Sequence, residues 1–243
     1  MRWQLSFVVT LAAVVAAGCE NGDNPLEPDQ TEVQLGYRQG AGGFSSGYGT
    51  PAIDGVLGLE EWALAAQIPI SVNTPEGPAP ATVYVMNDAS NLYVALELHF
   101  TGFNRSSFQV MTAGPYGKIA DPSSTDFFAD VFFANSNYGI ADFHDNFRLV
   151  TGNSNYGPAD TGYGGTTDGS ASFGQSAGVS VWELAHPLNS GDEYDYCITN
   201  RGIGINFFIR LLNPYPSIDT NYPSLWDWIP FKTSRGHVTP KEC

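Results

Sequence analysis

Apolar and polar residues alternate with a period of two over most of the chain from Thr50 onward. This alternation is typical of a strand with one buried face. The clearest case lies in residues 92–100, where every second residue forms an apolar face: Leu92, Val94, Leu96, Leu98 and Phe100. The pattern recurs in residues 81–87, 126–134, 146–150, 179–185 and 205–212. Short strands separated by Gly, Asn, Pro and Ser predict an all-β protein, an antiparallel β-sandwich with long Gly-rich loops.

Two connections stand out between these segments. Residues 87–91, with the sequence NDASN, have the composition of a hairpin turn. Residues 151–178 are so rich in glycine that we expect a loop at one end of the sandwich rather than a pair of strands.

The amino terminus has the features of an export signal. Arg2 is followed by an apolar run that is too short to span a bilayer comfortably, and the run ends in Ala16-Ala17-Gly18-Cys19. This ending resembles a bacterial lipobox, which implies cleavage before Cys19 and lipidation of its thiol. The alternative is an ordinary cleavage site followed by a chance cysteine.

The resulting organisation has three parts. We expect a lipoprotein signal peptide at 1–18, a lipid-anchored flexible tether at 19–48 and a β-sandwich domain at 49–243. The protein would then lie in the bacterial cell envelope, on the periplasmic or surface face. Because Glu20 rather than aspartate follows the cysteine, the outer membrane is favoured.

The remaining cysteines are Cys197 and Cys243. An even pair in an exported chain predicts a disulfide, which would tie the last residue to the domain. Two unpaired thiols are the alternative.

The chain is acidic, with a formal net charge of −15 at pH 7. This charge argues against nucleic acid and anionic lipid surfaces as partners. It is compatible with divalent cations.

Neither nucleophile motifs nor histidine spacing indicates catalysis. The pattern G-x-S-x-G occurs at 43–47 and 174–178, but neither copy lies between a predicted strand and a predicted helix. The four histidines lack metal-binding spacing and are interpreted as surface or loop residues.

Loop carboxylates are the main candidates for a metal site: Asp126, Asp142, Asp145 and Asp219. Calcium requires several hard oxygen ligands, which such residues supply. The same residue type also serves as solvated surface or as the acid–base pair of a glycosidase, and the sequence leaves these alternatives open.

Trp226 and Trp228 alternate, so an extended chain would point them to opposite faces. One of them then belongs to the core, and the other forms an exposed platform for a sugar ring. A third tryptophan, Trp182, is offset from the apolar positions Val179, Val181 and Ala185 of its segment.

Several blocks occur in a recognisable order: YGTPAIDGVLGLEEW, ATVYVMNDASNLYVALEL, TDFFADVFFANSN, FHDNFRLV, VWELAHPL and GIGINFFIRLLN. Over residues 48–230 this order resembles family 9 carbohydrate-binding modules, which are related to DOMON domains. The resemblance implies a β-sandwich, often with bound calcium. It also implies that Asp54-Gly55 forms the opening turn, that Trp62 packs inward, and that a sugar is clamped between two aromatic rings.

The chain departs from the family pattern at two places. Residues 123–125 are Ser-Ser-Thr where sugar-binding members carry an aromatic residue, and Tyr116 or Phe127 would have to replace it. Glu183 matches the family carboxylate in its strand, but His186 stands where an apolar residue is expected.

Together these observations predict a non-catalytic carbohydrate-binding lipoprotein, and not an enzyme. Its partner would be a polysaccharide or an oligosaccharide, with the membrane contacted only through the lipid anchor. The predicted ligand-binding residues are Trp226, Trp228, Tyr215, Tyr222, Asn206, Arg210 and Glu183. We expect structural calcium at the four loop carboxylates and no organic cofactor. The alternatives are an interaction or adhesion module without a sugar ligand, and a DOMON-like carrier of haem or redox equivalents.

Overall fold

The computed structural model describes residues 43–113, 127–150, 159–191, 195, 197–198, 203–212, 216–223 and 228–234. Its regular elements are thirteen β-strands and one 3-10 turn at Asp160–Gly162. The strands are Phe44–Ser45 (β1), Gly47–Tyr48 (β2), Ala66–Thr74 (β3), Gly77–Asn87 (β4), Asn91–Leu98 (β5), Arg105–Ala113 (β6), Phe127–Asn137 (β7), Ile140–Val150 (β8), Ser170–Ser176 (β9), Val179–Pro187 (β10), Ile203–Leu212 (β11), Ile218–Tyr222 (β12) and Ile229–Lys232 (β13).

The strands form two sheets. The first has the order β1-β13-β11-β6-β7-β8, with β12 also pairing with β11. The second has the order β2-β4-β5-β10-β9, with β3 also pairing with β4. All pairings are antiparallel except β1 with β13 and β2 with β4. The predicted β-sandwich is therefore confirmed, with two short parallel pairings at its margin.

The main hydrophobic core lies between the sheets. Both sheets contribute to it, for example through Leu96 of β5 and Trp182 of β10 on one side and Phe132 of β7 and Phe207 of β11 on the other. The predicted apolar face of residues 92–100 is confirmed, because its members all lie in this core. Trp182 also lies in it, fully buried, with its Nε1 donating to Ser106 Oγ at 3.1 Å. The sequence interpretation placed Trp182 on the wrong face of its strand.

Each sheet also has a covered outer face. On the second sheet, Trp62 packs with Met86, Tyr93 and Ala95. Trp62 is thus buried, as the resemblance implied, but outside the space between the sheets. On the first sheet, Trp228 packs with four residues that point away from the main core: Met111, Ala129, Val131 and Phe133.

The predicted hairpin at residues 87–91 is confirmed. Asp88 Oδ1 accepts hydrogen bonds from the backbone N–H groups of Ser90 and Asn91, at 2.7 and 2.8 Å. Its second oxygen accepts from Tyr93 Oη at 2.6 Å. Partial burial acts to raise the pKa of Asp88, but these hydrogen bonds lower it below its ordinary value.

The Gly-rich segment contains a strand that the sequence interpretation missed. Residues 170–176 form β9, which pairs antiparallel with β10. The two-residue link Ala177-Gly178 has φ angles of 50° and 83°, which suit a tight hairpin turn. The second G-x-S-x-G copy is this hairpin, so it has no strand–turn–helix context. Residues 151–158 lie outside the described residues.

Residues near the predicted end of the tether take part in the sheets. Phe44–Ser45 pairs with β13 of the first sheet, and Gly47–Tyr48 pairs with β4 of the second. The signal peptide, Cys19 and the tether up to residue 42 lie outside the described residues, so those predictions stand as predictions. Among the described residues, no helix is long and apolar enough to cross a bilayer.

Candidate functional site

Two aspartates of neighbouring strands face the interior of the sandwich. Asp130 on β7 and Asp145 on β8 are both buried, at 0% and 2% exposure. In the strand register Asp130 lies opposite Phe147, and Phe132 lies opposite Asp145. Side chains on a strand alternate between faces, so Asp130 and Asp145 share the core face with Phe132.

A histidine from the opposite sheet completes the contact. His186 of β10 lies on the same strand face as the core residues Trp182 and Leu184, and it is 0% exposed. Its ring stacks on Phe132 with centroids 4.5 Å apart. The Nε2 atom lies 3.6 Å from Asp145 Oδ2. The interpretation of His186 as a surface or loop histidine is therefore wrong, because the strand alternation turns it into the core.

A third aspartate follows β10. Asp195 Oδ2 lies 3.8 Å from His186 Nε2. One ligand atom each from Asp130, Asp145, Asp195 and His186 can be chosen so that all lie within 4.8 Å of one another. We call these four residues the buried cluster.

A further carboxyl group, Asp160 of the 3-10 turn, adjoins the buried cluster and is 0% exposed. Burial, followed by the negative charge of Asp145, raises the pKa of Asp160 to about 8. Asp160 is therefore mainly protonated at neutral pH.

The charge of the cluster acts on His186. Burial acts to lower its pKa, but the negative charges of Asp130, Asp145 and Asp195 outweigh burial and raise it to about 9. A protonated His186 then lies among three acidic side chains in a buried place, and burial raises the pKa of one of them, Asp195. Such charge is costly unless another cation or hydrogen-bond donors compensate it.

Several polar atoms at this place have no hydrogen-bond partner among the described residues. They include both ring nitrogens of His186 and Asp145 Oδ1. The other oxygen of Asp145 accepts a hydrogen bond from the backbone N–H of Asp168 at 3.0 Å, which orients this carboxylate.

The predicted calcium ligands do not assemble. Three positions separate Asp142 from Asp145 on β8, so the two side chains point to opposite faces, and the Asp142 side chain is 75% exposed beside His144. Asp219 pairs with Arg210 instead. Asp126 lies outside the described residues. Only Asp145 of the predicted set belongs to the buried cluster.

The buried cluster is a poor fit to the calcium that the family resemblance implies. Calcium takes six to eight oxygen ligands, including waters. One donor of this cluster is a histidine nitrogen, which lies 3.6 and 3.8 Å from two of the carboxylate oxygens, and His186, Asp130 and Asp145 are buried.

Glu183 has a structural role. Its Oε2 accepts the backbone N–H groups of Asp54 and Gly55 at 2.9 and 2.7 Å, and its Oε1 accepts Trp62 Nε1 at 3.1 Å. Burial raises the pKa of Glu183, although these three hydrogen bonds act to lower it. Gly55 has a φ of 87°, and a Cβ there would lie 2.8 Å from the Phe173 carbonyl carbon, so the turn requires glycine.

The predicted sugar-binding residues are divided between different faces. Asn206, Arg210 and Trp228 lie on the outer face of the first sheet, whereas Glu183 lies on the outer face of the second. Tyr222 packs against the main core. Trp228 is only 7% exposed, so it cannot be an open platform. Trp226 and Tyr215 lie outside the described residues.

Arg210 has other partners on its face. It donates from Nε and Nη2 to the two carboxylate oxygens of Asp219, both at 2.8 Å. Its guanidinium also lies 5.1 Å from the centroid of the Phe208 ring. These contacts fix the Arg210 side chain on the outer face of the first sheet.

An open cleft of about 280 Å³ lies at one end of the sandwich. Its lining residues are Phe103, Asn104, Tyr138, Gly139, Phe173 and Gln175. Tyr138 and Gly139 form the two-residue link between β7 and β8, with φ angles of 51° and 85°. Tyr138 is 68% exposed. A tyrosine in this left-handed conformation is uncommon, and such residues occur more often at functional sites.

The sequence contains a pattern that indicates the buried cluster, although the histidine spacing does not match a metal-binding motif. Both strands read F-x-D-x-F, at 128–132 and 143–147, which puts an acidic residue in phase with apolar ones. His186 is likewise in phase with Trp182 and Leu184. An ionisable residue at an apolar-face position of a strand therefore indicates a buried polar site. Asp160 and Asp195 lie outside the strands, so the sequence pattern does not identify them.

Comparison with known proteins gives structural likeness only. No protein-family model matches the chain, and no curated protein matches it significantly in sequence. Two solved structures of a family 9 carbohydrate-binding module from Caldicellulosiruptor kristjanssonii are similar. The complex with glucose is 15% identical, with a TM-score of 0.48, and the match covers 81% of this chain and 99% of that one. The complex with cellotriose is 16% identical, with a TM-score of 0.47, and the match covers 81% and 97%.

A proposed carbohydrate-binding protein from Bacteroides uniformis is also similar, at 8% identity and a TM-score of 0.40, over 79% of this chain and 99% of that one. Likeness at these levels establishes neither ligand nor site. The two sheets make the chain a β-sandwich, and these solved structures are similar to it in fold alone.

Proposed function

We propose that this protein is a non-catalytic carbohydrate-binding module. The observation that carries the proposal is the contact of Glu183 with Asp54, Gly55 and Trp62. Two separate sequence blocks that resemble family 9 modules, residues 48–62 and residues 181–188, meet in this hydrogen-bonded arrangement. Because these blocks are far apart in the sequence but in contact in the fold, their resemblance to family 9 modules is better explained by common ancestry than by chance.

The cleft beside Tyr138 is the proposed sugar site. Sugar rings bind through their apolar faces to aromatic rings and through their hydroxyl groups to amides. Tyr138 offers an exposed ring, and Asn104 and Gln175 offer amides. The cleft volume lies near the lower end of ligand pockets, about 300–1,000 Å³, which suits one terminal sugar unit.

Titration calorimetry with soluble cello-, xylo- and manno-oligosaccharides tests the proposal. Tyr138→Asn removes the ring but keeps a residue that tolerates the left-handed conformation. We expect this substitution to weaken sugar binding at least about tenfold, because it removes about 1.4 kcal/mol of stacking and burial.

Ala177→Asn is the matched control. It makes the corresponding change in the β9–β10 hairpin, where Ala177 has a φ of 50° and lies outside the lining of the cleft. Sugar binding should be unaffected. If no glycan in the panel binds to the unmodified protein, the proposal fails and an interaction module becomes the better hypothesis. A Soret band in the purified protein would instead favour a haem carrier.

We also propose the envelope context that the sequence predicts. The module would be held by a lipid on Cys19 and closed by a Cys197–Cys243 disulfide. Metabolic labelling with a palmitate analogue, compared between the unmodified chain and Cys19→Ser, tests the anchor. Thiol titration before and after reduction tests the disulfide, and two thiols reactive without reduction would refute it.

A further inference from the structure

We propose that the buried cluster binds a divalent cation of borderline softness, such as Zn²⁺, between the two sheets. Its ligands would be Asp130, Asp145, Asp195 and His186. This inference concerns the buried cluster alone and does not depend on the sugar site. It differs from the calcium that the family resemblance implies.

The geometry is that of a closed four-ligand site. Zinc binds nitrogen and carboxylate oxygen at about 2.0–2.2 Å, so two ligands on one ion lie about 3–4 Å apart. His186 Nε2 lies 3.6 Å from Asp145 Oδ2 and 3.8 Å from Asp195 Oδ2. The four ligand atoms fit within 4.8 Å of one another, so a small inward movement brings them onto one ion.

The unsatisfied atoms support a ligand independently of this spacing. His186 is 0% exposed, and neither ring nitrogen has a hydrogen-bond partner among the described residues. Buried polar atoms in native proteins nearly always have partners, so an imidazole aimed at two carboxylates without one indicates a missing group. A cation on Nε2 would satisfy the ring and the carboxylates together.

The donor set selects the kind of ion. Imidazole nitrogen suits zinc and its neighbours in the first transition row, whereas calcium prefers oxygen alone. A dication on Nε2 would displace the proton that His186 otherwise carries, and it would offset negative charge on the aspartates. The surrounding strands hold three of the ligands: Asp130 on β7, Asp145 on β8 and His186 on β10. The ion would therefore join the two sheets.

Metal binding to the full chain tests the inference. The protein is stripped with a chelator, then titrated separately with Zn²⁺, Co²⁺ and Ca²⁺ and analysed for bound metal. We expect one Zn²⁺ per chain with submicromolar affinity and a raised melting temperature, and no comparable effect of Ca²⁺. X-ray absorption at the zinc edge should show one imidazole and an otherwise oxygen coordination shell.

His186→Gln should weaken Zn²⁺ binding more than about 100-fold, since loss of a direct ligand exceeds the 10–100-fold effect of losing an outer contact. His144→Gln is the matched control, because His144 lies on the opposite face of β8 beside the exposed Asp142. It should leave binding unchanged. Should His186→Gln fail to fold, the edge spectrum of the unmodified protein decides.

Three results would overturn the inference. One is the absence of stoichiometric Zn²⁺ after chelation and reloading. Another is a zinc-edge spectrum without imidazole, and the third is tighter binding of Ca²⁺ than of Zn²⁺.

Discussion

At the scale of single residues, the role of Glu183 is not evident from its neighbours in the sequence. Glu183 was expected to contact a sugar, but it holds the Asp54-Gly55 turn and the Trp62 ring on the outer face of a sheet. Its carboxylate replaces the backbone partners that the turn lacks. Its buried position therefore indicates an architectural role.

Replacing Glu183 with alanine leaves two buried donors, the Gly55 N–H and Trp62 Nε1, and the part-buried Asp54 N–H without an acceptor. Each buried donor costs about 1–3 kcal/mol, so we expect a loss of at least about 2 kcal/mol in the free energy of unfolding. Urea denaturation followed by tryptophan fluorescence measures it. Glu76→Ala, at an exposed position, should change stability by less than about 0.5 kcal/mol. Similar losses for both variants would refute the role assigned to Glu183.

The Arg210–Asp219 pair predicts an acid-sensitive contribution to stability. Hydrogen bonds from Arg210 lower the pKa of Asp219 below its ordinary value. A carboxylate with a lowered pKa stabilises the fold above its unfolded pKa, and this contribution is lost as pH falls through the folded pKa. The contribution is small, at most about 1 kcal/mol, because both side chains are partly exposed.

Arg210→Gln should therefore reduce stability at neutral pH, and this loss should shrink as pH falls below the ordinary aspartate pKa towards the lowered pKa of Asp219. Denaturation curves of both proteins between pH 2 and 7 measure this convergence. An effect of Arg210→Gln that is independent of pH would assign its role to packing on Phe208 instead.

At the scale of elements, two hairpins use the same tight link. Tyr138-Gly139 joins β7 to β8, and Ala177-Gly178 joins β9 to β10, each with two successive positive φ angles. Asparagine is preferred at the first position of such a link because it tolerates the left-handed region. Neither tyrosine nor alanine has that advantage, so both links carry some local strain.

Ala177→Asn should stabilise the protein by about 0.5–1 kcal/mol, because it relieves this strain without removing a buried contact. Thermal denaturation measures the gain. A melting temperature of Ala177→Asn that is equal to or lower than that of the unmodified protein would show that this link carries no relievable strain.

At the scale of the molecule, a short segment joins both sheets at one margin. β1 pairs with the first sheet and β2 with the second, so residues 44–48 cross between them. Ser46 lies at the crossing, where it accepts a hydrogen bond from the Ser234 N–H at 3.1 Å and donates its own N–H to the Lys232 carbonyl at 3.1 Å. Phe44 packs on Phe231, with ring centroids 5.2 Å apart.

Gly47→Ala tests whether this crossing stabilises the sandwich. A Cβ at Gly47 would lie 1.8 Å from the Leu64 carbonyl oxygen, so the backbone must move. We expect a loss of about 2 kcal/mol or more in the free energy of unfolding. Gly162→Ala is the control, since a Cβ there meets nothing within 4 Å. A neutral Gly47→Ala would show that the crossing is dispensable.

The sequence alone determined the β-sandwich, the main-core face of β5 and the hairpin at Asp88, because alternation and turn composition are local properties. It misplaced Trp182 because β10 is buried on both faces, and it missed β9 because this strand is mostly polar and lies within a Gly-rich segment.

Only the tertiary structure decided where charge and aromatic rings meet. The buried cluster combines residues of β7, β8 and β10 with Asp195, which are brought together by the packing of one sheet on the other. Trp228 is covered by side chains from β6 and β7, far from it in sequence. A sequence pattern tells which face of a strand a residue occupies, but what lies opposite that face depends on sheet packing.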